Sequence, residues 1–277
     1  MKTLYVSDLD GTLLTSQVEI APYTRQVLKA MYRQGVPFTV ATARSNASVT
    51  RLLAGVPLSL PVVLLNGTFT YDLHTGRFCR VIPLGRELAQ EVLSLFARHG
   101  LPTFVFAYRE QNLTMYYRPL DRLQGYEERS PRPLTDYPPL SPGQLPEGEI
   151  VFLNLLDREE FLRPLYQDLQ KVPGLHMTFY ADPYYRGYWF LEICSNQATK
   201  SARIRELQQE VEAQRLVVFG DGPNDGDMFR LADAAYAPSN AQANLLSMAT
   251  GVLGHHDQES VAHFLHEQVL GGVPLDG

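Results

Sequence analysis

A chain of 277 residues, 45% hydrophobic and 19% charged, can bury a sizeable core and suits one large domain or two unequal ones. Its 30 acidic side chains outnumber 24 basic ones for a net charge of -6, which excludes a broad basic surface for nucleic acid or an anionic membrane, so any phosphate must be met locally. Cys79 and Cys194 are too few for a disulfide framework or a cysteine-based zinc site and read as buried thiols, and with no signal-peptide pattern and no apolar run of ~18 residues the expected location is the cytoplasm.

In chain order, Thr3 to Ser7 is a short β-rich run. From Pro22 to Gln34, Val27, Leu28, Met31 and Tyr32 recur at helical spacing, with Pro22 suited to the first turn and Gly35 to the stop. Pro37 to Ala41 reads as a second strand, Asn46 to Ala54 as a second helix, and Val62 to Leu65 as an apolar strand ending at Asn66-Gly67. This alternation implies parallel strands joined by crossover helices.

The texture then changes. A helix from Arg86 to His99 precedes two paired strands, Thr103 to Ala107 and Thr114 to Tyr117, and a proline-punctuated stretch whose Leu120, Leu123, Tyr126, Leu134, Tyr137 and Leu140 suggest a packed excursion. A strand at Ile150 to Leu156, a helix at Glu159 to Lys171, and strands at Met177 to Tyr180 and Tyr188 to Ile193 complete an α+β segment. The α/β rhythm resumes with a helix from Thr199, the strand Leu216 to Phe219, a helix from about Asp225, strands at Ala234 to Ala237 and Gly251 to Leu253, and helices at Ala241 to Met248 and Gln258 to Val269. The expected fold is α/β: a Rossmann-like, doubly wound parallel-sheet core, residues 1–82 and 191–277, with an inserted α+β cap domain, residues 83–190.

Three polar clusters follow core strands directly: Asp8 and Asp10, Thr42, and Gly220-Asp221. Ligands of an open parallel sheet bind outside the carboxyl ends of its strands, so these clusters should meet. Asp8, Asp221 and the nearby Asp225 crowd carboxylates that repel one another unless a cation sits among them, and oxygen-only ligands suit Mg2+. Gly11 permits close approach of a ligand, while Thr12, Thr42 and loop amides can donate to an anion.

The run Asp8-Leu9-Asp10-Gly11-Thr12-Leu13 resembles the first motif of the haloacid dehalogenase superfamily, and Gly220-Asp221-Gly222-Pro223-Asn224-Asp225-Gly226-Asp227-Met228 resembles its fourth. Ala41-Thr42-Ala43-Arg44 is similar to the second, with Ala43 where the subfamily often has glycine, and Thr199-Lys200 opening a helix is similar to the third. The insertion between Asn66-Gly67 and Lys200 resembles the C2B cap of the Cof-type hydrolases, and Ala237-Pro238-Ser239-Asn240-Ala241 a stretch that follows the fourth motif there.

The resemblance implies an Mg2+-dependent phosphatase of small phosphorylated metabolites, sugar phosphates or phosphorylated cofactors. Asp8 would attack phosphorus to form an aspartyl phosphate, and Asp10 would serve as acid and then base. Thr42 and Lys200 would neutralise phosphoryl oxygens; Asp8, the Asp10 carbonyl and Asp221 would hold the metal, with Asn224 and Asp225 counted in the same metal site as its support. Arg44 reads either as a substrate contact or as a surface residue, and Asn66, Gly67 and Asn224 are further candidates for substrate binding. The cap would exclude water and set specificity. The expected partner is a small phosphorylated metabolite, with no nucleic acid and no membrane, and the protein a monomer or small homo-oligomer.

A phosphomutase using the same aspartyl phosphate and a non-catalytic Mg2+-dependent sensor are the alternatives; an acid/base at Asp10 argues against the sensor, since pure binding needs none. His255-His256 reads as a surface pair rather than a metal site, and the aromatics Tyr180, Tyr184, Tyr185, Tyr188 and Trp189 as packing more than pocket lining.

Overall fold

The computed structural model describes residues 1–118, 136–141, 144–182 and 186–275. Leu120, Leu123, Tyr126, Leu134, Tyr184 and Tyr185 lie outside them; of the proline-rich stretch, Leu140 is described and buried. The chain divides into two compact units, residues 1–80 with 199–277, and residues 81–198.

The first unit opens with β1 (Thr3–Ser7), α1 (Pro22–Arg33), β2 (Phe38–Val40), α2 (Asn46–Leu52) and β3 (Val62–Leu64). Pro22 occupies the first turn of α1, Val27, Leu28 and Met31 turn inward, and Gly35, at φ +68°, takes the left-handed conformation that ends it. A hairpin follows, β4 (Phe69–Asp72) and β5 (Arg77–Val81), with β3, β4 and β5 forming a three-stranded sheet. The sequence reading missed this hairpin. Its signals are the alternating Phe69, Tyr71 and Phe78, whose rings pack together, and a turn in which Asp72 Oδ1 accepts from the His74 and Thr75 amides.

In the second unit, α3 (Arg86–Arg98), β6 (Thr103–Arg109), β7 (Asn112–Arg118), β8 (Glu149–Arg158), α4 (Glu159–Leu169), β9 (Leu175–Ala181) and β10 (Tyr188–Ser195) build an antiparallel sheet of order β7-β6-β8-β10-β9. Alternate residues Leu153 and Leu155 of β8, and Leu191 and Ile193 of β10, bury against Val92 and Phe96 of α3 and Leu162 and Leu165 of α4. Strand β10 pairs with β8 and β9 along its length, so residues 191–198, grouped with the core from sequence, belong to this unit. The sequence boundary cut through a continuous strand because Leu191 to Ser195 is as apolar as a core strand.

Back in the first unit come α5 (Lys200–Glu210), β11 (Arg215–Phe219), α6 (Gly226–Leu231), β12 (Ala234–Pro238), α7 (Ala243–Leu246), β13 (Gly251–Leu253) and α8 (Ser260–Phe264). The five-stranded sheet runs β13-β12-β11-β1-β2 with every pair parallel, and a bridge from Ala41 to Val63 continues it toward β3. Leu4 and Val6 of β1 and Leu216 and Val218 of β11 pack with Ile204 and Leu207 of α5 and Met228 and Phe229 of α6. The order reverses at β1, with β2 to one side and β11, β12 and β13 to the other, which is the switch point of a doubly wound sheet. Cys194 is buried as expected, but Cys79 is exposed, because the pleat of β5 turns it opposite to buried Phe78. Among the described residues no helix is long and apolar enough to cross a membrane.

Candidate active site

Ser7, the last residue of β1, is in register with Phe219 of β11 and Val40 of β2. Parallel strands in register end on one edge, so Asp8, Thr42 and Asp221 leave the sheet side by side. The Asp8 amide donates to the Phe219 carbonyl at 2.9 Å. Leu9 to Leu13 then form one wide turn, closed by the Leu14 amide on the Leu9 carbonyl at 2.8 Å. Gly11 sits at φ +69°, and a side-chain carbon there would fall 2.4 Å from Asp221 Oδ2, so only glycine lets this turn lie against Asp221.

Lys200 places Nζ 2.7 Å from Asp8 Oδ1 and 2.7 Å from Asp225 Oδ1. It enters from the first turn of α5, which Thr199 caps by accepting the Ala202 amide at 3.1 Å. The other oxygen of Asp225 accepts the Asp221 and Gly222 amides, each at 3.0 Å. Asp8, Lys200 and Asp225 are 5%, 1% and 0% exposed. Burial raises the Asp8 pKa well above the carboxylate range, opposed by Lys200 and reinforced by Asp225, Asp221 and Asp10. Asp221 is pushed up to about 7 by burial and then by Asp225. Burial alone would lower the Lys200 pKa, yet Asp225 and Asp8 outweigh it and the ammonium is held more firmly than usual.

The remaining candidates join the same circuit. Arg44 donates through Nε and a terminal nitrogen to the two oxygens of Asp10, at 2.7 and 2.5 Å, and through its other terminal nitrogen to Ser48 Oγ at 2.9 Å. It is therefore a partner of Asp10, neither a bare surface residue nor turned wholly toward a substrate. Its amide donates to Thr42 Oγ1 at 3.2 Å, and the Thr42 carbonyl accepts the Asn66 amide at 3.1 Å. Asn66, at φ +56°, accepts from Asn224 Nδ2 at 3.2 Å. Gly67 lies at φ +103°, where a side-chain carbon would come within 2.2 Å of the Thr199 carbonyl, so its lack of one sets the seat of the helix that carries Lys200. All ten residues picked out from the sequence thus meet along one edge of the sheet.

Some roles differ from expectation. Thr12, read as an anion donor, gives its hydroxyl to Asp221 Oδ1 at 2.9 Å. Asp225, expected as a support of the metal site, spends both its oxygens on Lys200 and two amides. Asp227 and Asn240, to which no role was given, also belong here: Asp227 Oδ2 accepts the Ser201 amide at 3.1 Å, and Asn240 Nδ2 donates to the Gly11 carbonyl at 2.8 Å. The run of acids after Gly220 and the Pro238-Ser239-Asn240 stretch were their only signals. His255, His256 and Asp257 bring potential ligand atoms within 4.8 Å of one another, but Asp257 accepts the Ser16 amide and hydroxyl and His256 Nδ1 faces the Leu14 carbonyl. They fasten the chain leaving the Asp10 turn.

One oxygen from each of Asp8, Asp221 and Asp225 can be drawn within 4.8 Å of the others. Three carboxylates facing one ammonium leave an uncompensated negative charge in a buried place, and the raised pKa values of Asp8 and Asp221 register that cost. A hard divalent cation with oxygen ligands fits this donor set, held by the Asp8 and Asp221 oxygens that the Lys200 and Thr12 bonds leave over.

The chain matches the haloacid dehalogenase-like hydrolase family over residues 5–265. It is 26% identical to an HMP-PP phosphatase of Serratia proteamaculans, across 96% of this chain and 94% of that protein, and 22% identical to the pyridoxal phosphate phosphatase YbhA of Escherichia coli, across 95% and 97%. Its fold superimposes on that of BT4131, a sugar phosphatase of HAD subclass IIB, with TM-score 0.77 and 18% identity over 99% of this chain and 100% of that one. The match runs through every element that carries the carboxylates and Lys200, and the chain belongs to the haloacid dehalogenase-like hydrolase family.

Proposed function

We propose that the chain is an Mg2+-dependent phosphatase that hydrolyses small phosphorylated metabolites through an aspartyl phosphate on Asp8. The observation that carries this reading is the buried Asp8 carboxylate at the end of the central strand, bonded to Lys200 and grouped with Asp221 and Asp225. Lys200 holds the Asp8 carboxylate in a fixed orientation, from which it can attack phosphorus. In the first step an Asp8 oxygen bonds to phosphorus as the ester oxygen leaves, protonated by Asp10. In the second, Asp10 takes a proton from water, which attacks the same phosphorus, breaks its bond to Asp8 and yields inorganic phosphate. Bound at Asp8, Asp221 and the Asp10 carbonyl, Mg2+ would supply positive charge beside the phosphoryl oxygens.

Thr42 and Lys200 add a hydroxyl and an ammonium to that charge balance. Asp10, bound by Arg44, has to release the guanidinium to reach a leaving oxygen, so Arg44 sets its resting position. Residues 81–198 are assigned to substrate selection. The relatives that act on HMP-PP and on pyridoxal phosphate, and the sugar phosphatase of like fold, support phosphorylated cofactors and sugar phosphates as the first substrates to try. The test is phosphate release with and without Mg2+ across sugar phosphates, pyridoxal phosphate, flavin mononucleotide and nucleotides. Mg2+-dependent release that disappears in Asp8→Asn is expected. No release from any of them would favour a sensor, and return of the phosphoryl group to a sugar faster than to water would favour a mutase.

A further inference from the structure

A second concave surface lies in the first unit and shares no residue with the site above: a cleft of about 1150 Å³ between α1, the end of α2 with the loop that follows, and the β4–β5 turn. Its lining includes Arg25, Lys29, Arg33 and His74 and, among the described residues, no acidic one, in a chain whose net charge is -6. Arg25, Lys29 and Arg33 stand four residues apart on α1, so they form one row up the helix at intervals of about 6 Å. Like charges at this spacing destabilise a helix. Among the described residues Lys29 has no ion pair to offset that repulsion, and Arg25 is fixed in place by donating to the Ala54 carbonyl at 2.6 Å. The cleft also contains Tyr32, a large side chain left 49% exposed, and the half-buried Leu58.

We propose that this cleft is a non-catalytic binding site for a small organic polyphosphate bearing a planar ring, the chemistry of a nucleoside triphosphate. Cations one helical repeat apart match charges spread along a polyphosphate; a single phosphate monoester meets one of them at a time. The phosphates lie along Arg25 and Lys29, with Arg33 next in the row and the His74 imidazole as a further hydrogen-bonding group, and the ring rests on Tyr32 and Leu58, which supply the apolar face such a ligand needs. The site does not depend on the phosphatase reading.

The experiment is calorimetric titration of the intact chain with ATP in the presence of EDTA, which withholds divalent cations from Asp8 and Asp221. Saturable one-to-one binding is expected, weakened at least tenfold by Lys29→Glu and by Arg25→Gln, weakened by Tyr32→Ala, and unchanged by Lys2→Glu, an exposed charge outside the cleft. Lys29 is exposed, so its variant tests the site without disturbing the core, and its far-ultraviolet circular dichroism should match the native chain. Absence of saturable binding, full affinity in Lys29→Glu, an equal loss in Lys2→Glu, or inorganic phosphate binding as tightly as ATP would each overturn the proposal. Tighter binding of a single-stranded oligonucleotide than of ATP would overturn it in favour of a nucleic-acid surface.

Discussion

Lys200 Nζ lies 2.7 Å from Asp8 Oδ1 and 2.7 Å from Asp225 Oδ1, and all three side chains are closed to solvent. The ammonium is the positive charge that the two buried carboxyl groups share. Lys200→Met removes it while keeping similar bulk, so the cost is that of buried charges left without a partner, about 3 kcal/mol. Urea unfolding should show that loss near neutral pH and a smaller one in acid, where protonated carboxyls no longer repel, and turnover should vanish. An unchanged urea midpoint would show that the ammonium does not hold the carboxylates together.

The raised pKa of Asp221, about 7, makes stability depend on pH in a definite direction. Between the ordinary carboxylate range and that value the folded chain holds a proton that the unfolded chain has given up. Stability therefore falls as pH rises through this window, and Asp8, also raised, contributes with the same sign. A cation that binds only the ionised carboxylates must release those protons. Melting temperatures in EDTA should fall from about pH 5.5 to about pH 7.5 through this pair, and added Mg2+ should stabilise more at the higher pH. Equal stabilisation by Mg2+ at both values would place the cation elsewhere.

The corners of the site were legible because Asp8, Thr42 and Gly220-Asp221 follow directly on apolar strand runs, and strand ends can be placed from local pattern alone. What could not be read was which oxygen each side chain serves. Thr12 turning to Asp221, and Arg44 to Asp10, depend on contacts across 209 and 34 residues. The β4–β5 hairpin was lost for a different reason: Asn66-Gly67 looks like the end of a segment, whereas here it turns the chain straight into Phe69. The edge expected at residue 190 falls inside β10, because Leu191, Ile193 and Cys194 give its second half the apolar share of a short core strand such as β1, and only its pairing with β8 and β9 places it.

Arg44 grips both oxygens of Asp10, and a lysine cannot reproduce that fork. Both side chains are partly exposed, so Arg44→Lys should cost no more than about 1 kcal/mol of stability. If its task is to hold Asp10, kcat should drop about tenfold with KM nearly constant. A raised KM with kcat preserved would return Arg44 to the role of substrate contact.

Asn240 joins two parts of the chain that reach the site separately. Its Nδ2 donates to the Gly11 carbonyl at 2.8 Å, and its Oδ1 accepts the His256 amide at 3.1 Å. His256 in turn faces the Leu14 carbonyl through Nδ1 at 2.7 Å, and Asp257 holds Ser16, so the Asp10 turn is fastened at its middle and at its exit. Asn240→Ala breaks both of its own bonds and should cost about 1–2 kcal/mol. Asn240→Asp is the more telling change, because a carboxylate still accepts from His256 but cannot donate to Gly11 and sets a negative charge against that carbonyl. Loss of about tenfold in kcat in the aspartate variant, with most of the stability kept, is the expected outcome, since a misplaced Gly11 carries Asp10 with it. Native turnover in Asn240→Asp would mean that the turn keeps its shape through Leu9, Leu14 and the His256 clamp alone.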